Sequence, residues 1–167
     1  MKKILLAAAV GAALTGCVTI PDATCTTSVG EVGYSLADSL HKSIGKEDRE
    51  KTVLLGSIVN LDDVNEVSPL GRLVGEQLGS RLAQHRVKIA EPKIRNVVVS
   101  SKSGEHSVSR EAKEIATRSN AYAFVTGTVT KMQGRYYFNA KMIRVSDSQV
   151  LATADVCLTG KIREAGL

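Results

Sequence analysis

Residues 121–159 constrain the fold more than any other stretch. From Ala121 to Thr130, Arg135 to Val145 and Gln149 to Thr159, apolar and polar residues alternate with period two. The breaks between these runs are short, around Gln133-Gly134 and Ser146-Asp147-Ser148. That alternation puts every second side chain on one face of a strand, and turns this short join neighbours antiparallel. In the last strand Val150, Ala152, Ala154 and Val156 share one face, and Leu151, Thr153, Asp155 and Cys157 the other. If the first set is core, Cys157 looks outward. A meander of this kind must bury its apolar face against something, so its cover comes from earlier in the chain.

The earlier residues supply helices. Val32, Leu36, Leu40 and Ile44 recur every four residues with Ala37 beside them, and Gly45 is a natural stop. Lys46 to Lys51 reads as a solvated connection and Thr52 to Val59 as a short buried strand, followed by the acidic loop Asn60 to Val67. Ser68 is placed to cap a helix with Pro69 at its first position, where the missing N–H costs nothing. Leu70, Leu73, Val74, Leu78 and Leu82 form its apolar stripe, and Gly71, Gly75 and Gly79 run beside it. Each helix-interior glycine costs up to ~1 kcal/mol against alanine, so three in register predict close approach of another backbone, strand or helix. Val87 to Glu91 reads as a second strand closed by Pro92, Ile94 to Ser100 as a third extended piece, and Ser101 to Ser107 as an exposed loop. Ser109 then caps a helix burying Ala112, Ile115 and Ala116 and ending at Asn120. The class is α+β, an α/β sandwich: a mixed sheet that ends in a three-stranded antiparallel meander, with about three helices packed on it.

The amino terminus is organised differently. Lys2 and Lys3 precede an uncharged run from Ile4 to Leu14, the pattern of a secretory signal peptide and too short to span a bilayer. Leu14, Thr15, Gly16 and Cys17 at its end resemble the lipobox of bacterial lipoproteins. The resemblance implies that Cys17 carries a diacylglycerol, that the signal is cut before it, and that the freed amine is acylated, with palmitate as the acyl group. The covalent lipid on Cys17 would then be the chain's only membrane segment. Val18 is not the Asp that retains such proteins at the inner membrane, so the implied location is the periplasmic face of the outer membrane. A soluble periplasmic protein with an incidental cysteine is the competing reading. The chain divides into a signal peptide (1–16), a lipidated linker (17–30), one domain (31–160) and a tail (161–167).

Removing residues 1–16 from the 167 leaves 151, enough for one compact domain, and lowers the formal charge from +5 to +3. That charge is mixed along a chain with few aromatics and no Trp, so it forms no basic stripe for nucleic acid. With Cys17 lipidated, Cys25 and Cys157 remain as a pair in an oxidising compartment, where a disulfide would staple the tether to the last strand. Two free thiols are the alternative.

No catalytic constellation emerges. His41 lies on a helix off its apolar stripe, His85 ends another and His106 is in a loop; all three read as surface histidines. Asp62, Asp63 and Glu66 lack the alternation and glycine of a calcium loop, so no metal site is assigned. No phosphate loop or nucleophile elbow is present. The reading is a non-enzyme without cofactor, and the candidate partner contacts are the Asn60 to Val67 loop, through Asn60, Asp62, Asp63 and Glu66, and the Ser101 to Ser107 loop, since loops often carry recognition.

From Leu36-Ala37-Asp38-Ser39-Leu40 to about Leu158 the chain resembles the FlgO family of flagellar outer-membrane lipoproteins. The more specific pieces are Val59-Asn60-Leu61-Asp62-Asp63 and Ser68-Pro69-Leu70-Gly71-Arg72 followed by Glu76-Gln77-Leu78. Glu91-Pro92, Arg95-Asn96, Ser109-Arg110-Glu111, Asn120-Ala121, Phe124 to Thr128, Ala140 to Arg144 and Val150 to Ala154 also fit. Gly75 and Gly79 depart from the family, where other small residues are usual. The resemblance implies a fold like the amino-terminal domain of TolB and the periplasmic part of CsgG, no catalytic residues, and support of flagellar assembly, stability and motility. Implied partners are flagellar basal-body ring proteins, other flagellar lipoproteins or further copies of the chain. A general envelope adaptor, linked to secretion or peptidoglycan, is the alternative.

Overall fold

The computed structural model describes residues 25–90 and 110–160. Within them α1 (Val29–Ser43) leads through a 3-10 turn (Lys46–Asp48) to β1 (Thr52–Asn60), α2 (Pro69–Gln84) and β2 (Lys88–Ala90). Then come α3 (Arg110–Arg118), β3 (Ala123–Met132), β4 (Arg135–Arg144) and β5 (Val150–Thr159). The five strands form one mixed sheet in the order β2-β1-β3-β4-β5. β2, β1 and β3 run parallel, as strands separated by helices do, and β3-β4-β5 form an antiparallel meander. This is the expected α+β class. The expected extended piece at Ile94 to Ser100, the Ser101 to Ser107 loop, Ser109, His106 and residues 1–24 and 161–167 lie outside the described residues, as does the side chain of Ala112.

Burial explains the layers. Val53 and Val125 join the core under α1 and α2, built from Val32, Leu36, Leu40, Val74, Leu78 and Leu82. Their chain neighbours Leu54 and Phe124 face the other way and meet Ile115 and Ala116 of α3. α1 and α2 therefore cover one face of the sheet and α3 part of the other. The β3–β4 turn has positive φ at both Gln133 and Gly134, the geometry of a type I′ hairpin whose twist matches the strands. Asn120 also takes a positive φ just after α3.

Four local expectations are corrected. α1 starts at Val29 and Thr26 already pairs with Leu158, so ordered chain begins inside the stretch read as linker; strand pairing there leaves no helical period to read. Leu73 is 47% exposed, because α2 turns its Gly71-Val74-Gly75-Leu78-Gly79-Leu82 side inward. Val150 leaves the core face because the β4–β5 register shifts between Met142 and Ile143, and it is exposed. Two of the three glycines meet β1: a Cβ on Gly71 would run into the Ile58 carbonyl, and one on Gly79 would lie 2.5 Å from Leu55 Cδ2. Gly75, though buried, has open space where its Cβ would be. The tight helix crossing is instead at Gly33 of α1, where a Cβ would stand 2.6 Å from Gln77 Cβ and 2.8 Å from the Val74 carbonyl.

Candidate functional site

One end of the domain gathers the features singled out in the sequence. β1, β3 and β5 finish there, β4 starts there, and α1 and α2 begin there. α2 starts where Ser68 accepts a hydrogen bond from the Gly71 N–H at 3.0 Å. The loop between β1 and α2 is folded on itself. Asn60 Nδ2 donates to Glu66 Oε2 at 3.0 Å, and the Asn60 N–H donates to the Glu66 carbonyl at 2.9 Å. Asn60 Oδ1 accepts from the Asp62 N–H and Asp63 Oδ1 from the Asn65 N–H, both at 3.0 Å. Leu61 N–H donates to the Val129 carbonyl, and Thr130 reaches Asp62 Oδ2 at 3.4 Å, so β3 holds the loop. Asn60, Asp62, Asp63 and Glu66 are thus brought together, mainly to build the loop. Among the described residues no group of three His, Cys, Asp or Glu is arranged to hold a metal ion.

Beside the loop the sheet face forms a concavity of about 230 Å³ lined by Leu61, Thr130, Tyr137, Val156 and Cys157 among others. Cys157 is bonded to Cys25, with Cα atoms 4.5 Å apart. The Thr26 N–H donates to the Cys157 carbonyl at 2.9 Å, and the Thr159 N–H to the Thr26 carbonyl at 2.8 Å. The root of the amino-terminal segment is therefore fixed on the outer edge of β5. Leu14, Thr15, Gly16 and Cys17 lie outside the described residues.

Further down the two helices sequence reasoning missed a polar cluster. The Arg81 guanidinium grips Asp38 with a fork, Nε to Oδ1 at 2.7 Å and Nη2 to Oδ2 at 3.2 Å. His85 Nε2 lies 2.6 Å from Asp38 Oδ1 and must carry the proton, since a carboxylate only accepts. His41 stacks on His85, with ring centres 4.4 Å apart and planes 6° from parallel. Arg81 also lies over the Tyr34 ring, 5.5 Å from its centre. Hydrogen bonds from Arg81 and then His85 hold the Asp38 carboxyl down at about 2. Burial, followed by the nearby His85 and Arg49, pushes the His41 imidazole below its usual range. The isolated surface histidines expected at positions 41 and 85 are instead half-buried partners. Asp38 and His41 are three apart on α1, and Arg81 and His85 four apart on α2. Each pair shares a helix side, a signal usable only once α1 is known to pack on α2. Chemically the cluster is an ion-pair lock between helices with a protonatable stack attached.

Three solved structures share the fold at low identity. The LpoB C-terminal domain from Salmonella enterica aligns with a TM-score of 0.57 at 12% identity, over 80% of this chain and 99% of that one. The LpoB C-terminal domain from Escherichia coli aligns at 0.54 and 13%, over 78% and 99%. The solution structure of Escherichia coli LpoB aligns at 0.53 and 9%, over 95% and 83%. No curated protein sequence matches. The model of the family described as FlgO protein matches residues 34–161, a span that includes the Asn60–Glu66 loop, the Asp38 cluster and the whole meander. Over most of its length, then, this chain belongs to the FlgO family.

Proposed function

We propose that this chain is an outer-membrane lipoprotein that serves the bacterial flagellum as a non-enzymatic structural or assembly factor, supporting flagellar stability and motility. The FlgO match over residues 34–161 carries the reading, and the Leu14-Thr15-Gly16-Cys17 sequence ahead of it supports the anchor. Cys17 bears the lipid. Each buried CH₂ of an acyl chain contributes ~0.8 kcal/mol, and more than one chain makes anchoring stable. The domain is then held at the periplasmic face, where high local concentration lets weak contacts suffice. Its partners are basal-body ring proteins, other flagellar lipoproteins or a second copy. Asn60 and Glu66 close the loop, Asp62 and Asp63 also take hydrogen bonds from β3 or within the loop, and Asp62, Asp63 and Glu66 stay exposed to a partner.

The test is a deletion strain complemented with the natural chain or with Cys17→Ser. Deletion is expected to reduce swimming in soft agar and to leave unstable flagella. The Cys17→Ser chain is expected to leave the outer-membrane fraction and fail to complement. Normal flagella and swimming in the deletion strain would overturn the flagellar role and leave the envelope-adaptor alternative.

A further inference from the structure

We propose that the end of the domain carrying the tether root is itself a membrane-contact surface, on which the β3–β4 hairpin tip and Leu61 seat against the phospholipid leaflet that holds the anchor. This rests on Cys17 being acylated, as proposed above.

The length of the tether and the point where it ends carry the argument. Cys17 is eight residues before Cys25, and an extended chain of that length reaches at most about 28 Å. β3, ten residues long, spans about 33 Å. The leash is therefore shorter than the sheet, and the Cys25–Cys157 bond fixes its root at one end of that sheet. In register with that root stand Tyr137 opposite Cys157, Tyr136 opposite Leu158 and Arg135 opposite Thr159, so the hairpin tip is the root's immediate neighbour.

The side chains exposed at this end suit a lipid interface. Met132 at the tip is 59% exposed, Leu61 47% and Tyr137 38%, half of the large apolar side chains exposed among the described residues. Lys131 lies 5.2 Å over the Tyr136 ring, an apolar body with a charged head. The charges are mixed, Lys131, Arg135 and Arg72 against Glu31, Asp62, Asp63 and Glu66, so the attraction is shallow insertion of apolar side chains and not capture of anionic headgroups. A patch this small would not hold a free protein. Tethered this closely it meets the leaflet at high effective concentration, where weak affinity is enough. The opposite end, with the β4–β5 turn and Val150, then faces away from the membrane.

The chain has no Trp, so one introduced Trp reports its own depth. The acylated full chain is reconstituted into phosphatidylcholine vesicles with brominated acyl chains, as Met132→Trp, Leu61→Trp and, at the opposite end, Val150→Trp. Shallow burial is expected to remove about half of the Met132→Trp and Leu61→Trp emission and to leave Val150→Trp unquenched. Acylated protein in which neither tip variant is quenched, or in which all three are quenched alike, overturns the contact surface and leaves the lipoprotein reading standing. Mass spectrometry of the same samples separates the other case: a chain without lipid overturns both.

Discussion

Single atoms decide the fate of the α2 glycines. Gly71 and Gly75 are indistinguishable by pattern, yet one abuts a β1 carbonyl and the other faces open space. Gly71→Ala is expected to cost about 1–3 kcal/mol, because backbone has to move. Gly75→Ala is expected to stabilise by up to about 1 kcal/mol through helix propensity. Urea unfolding of the two variants checks this, and the reverse order would contradict the packing described. The Asp38 cluster makes a second prediction, in pH. His41 binds its proton less readily folded than unfolded, so stability is expected to fall as pH drops below its ordinary 6.5, where the unfolded chain takes up protons first. Asp38 acts in a separate window. Its folded value is about 2 against an ordinary 3.8, so its contribution is full above 3.8 and is lost as pH falls toward 2. With a third of that side chain exposed, solvent screens the effect. His41→Gln is expected to flatten the stability profile just below pH 6.5 without touching the acid limb. An unchanged profile would remove His41 from the account.

At the scale of elements, Ser68 tests how far a local signal can be trusted. Its hydroxyl caps α2, so Ser68→Ala is expected to cost about 0.5–2 kcal/mol in thermal or urea unfolding, and no loss would mean that the cap is idle. Elements whose cause is local were legible in this way: the cap, the position of the turn at Gln133-Gly134 and the period-two strands. What failed was orientation and meeting. The inward side of α2 centres on Gly71, Gly75 and Gly79, and glycine gives no apolar signal, so a leucine stripe that included Leu73 looked like the better core face. The β4–β5 register shift leaves the alternation in β5 intact as letters while turning Val150 outward. The Asp38–Arg81–His85–His41 cluster joins residues 43 and 47 positions apart, which no spacing within one helix announces. The loop around Asn60 was legible as a place; its hydrogen bonds were not.

For the whole molecule the Cys25–Cys157 bond is the longest covalent constraint among the described residues, closing 132 positions of chain. Cross-linking so distant a pair removes loop-closure entropy from the unfolded ensemble, by roughly 4–5 kcal/mol in the chain-entropy account. That is a large share of the ~5–15 kcal/mol that holds a domain of this size together. The bond also keeps Thr26 paired beside Leu158 at the outer edge of β5, where an unpaired strand would invite association. Cys157→Ser is therefore expected to lower unfolding stability by about 2–5 kcal/mol. In hydrogen exchange the loss should be uneven. The amides of Thr26 and Thr159, whose bonds hold the tether root to β5, should open before those of the β3–β4 pairing, which extends through ten residue pairs. A uniform rise across the sheet would show that the bond acts on the unfolded chain alone. An unchanged urea midpoint in non-reducing buffer would mean that the two cysteines are not joined in solution.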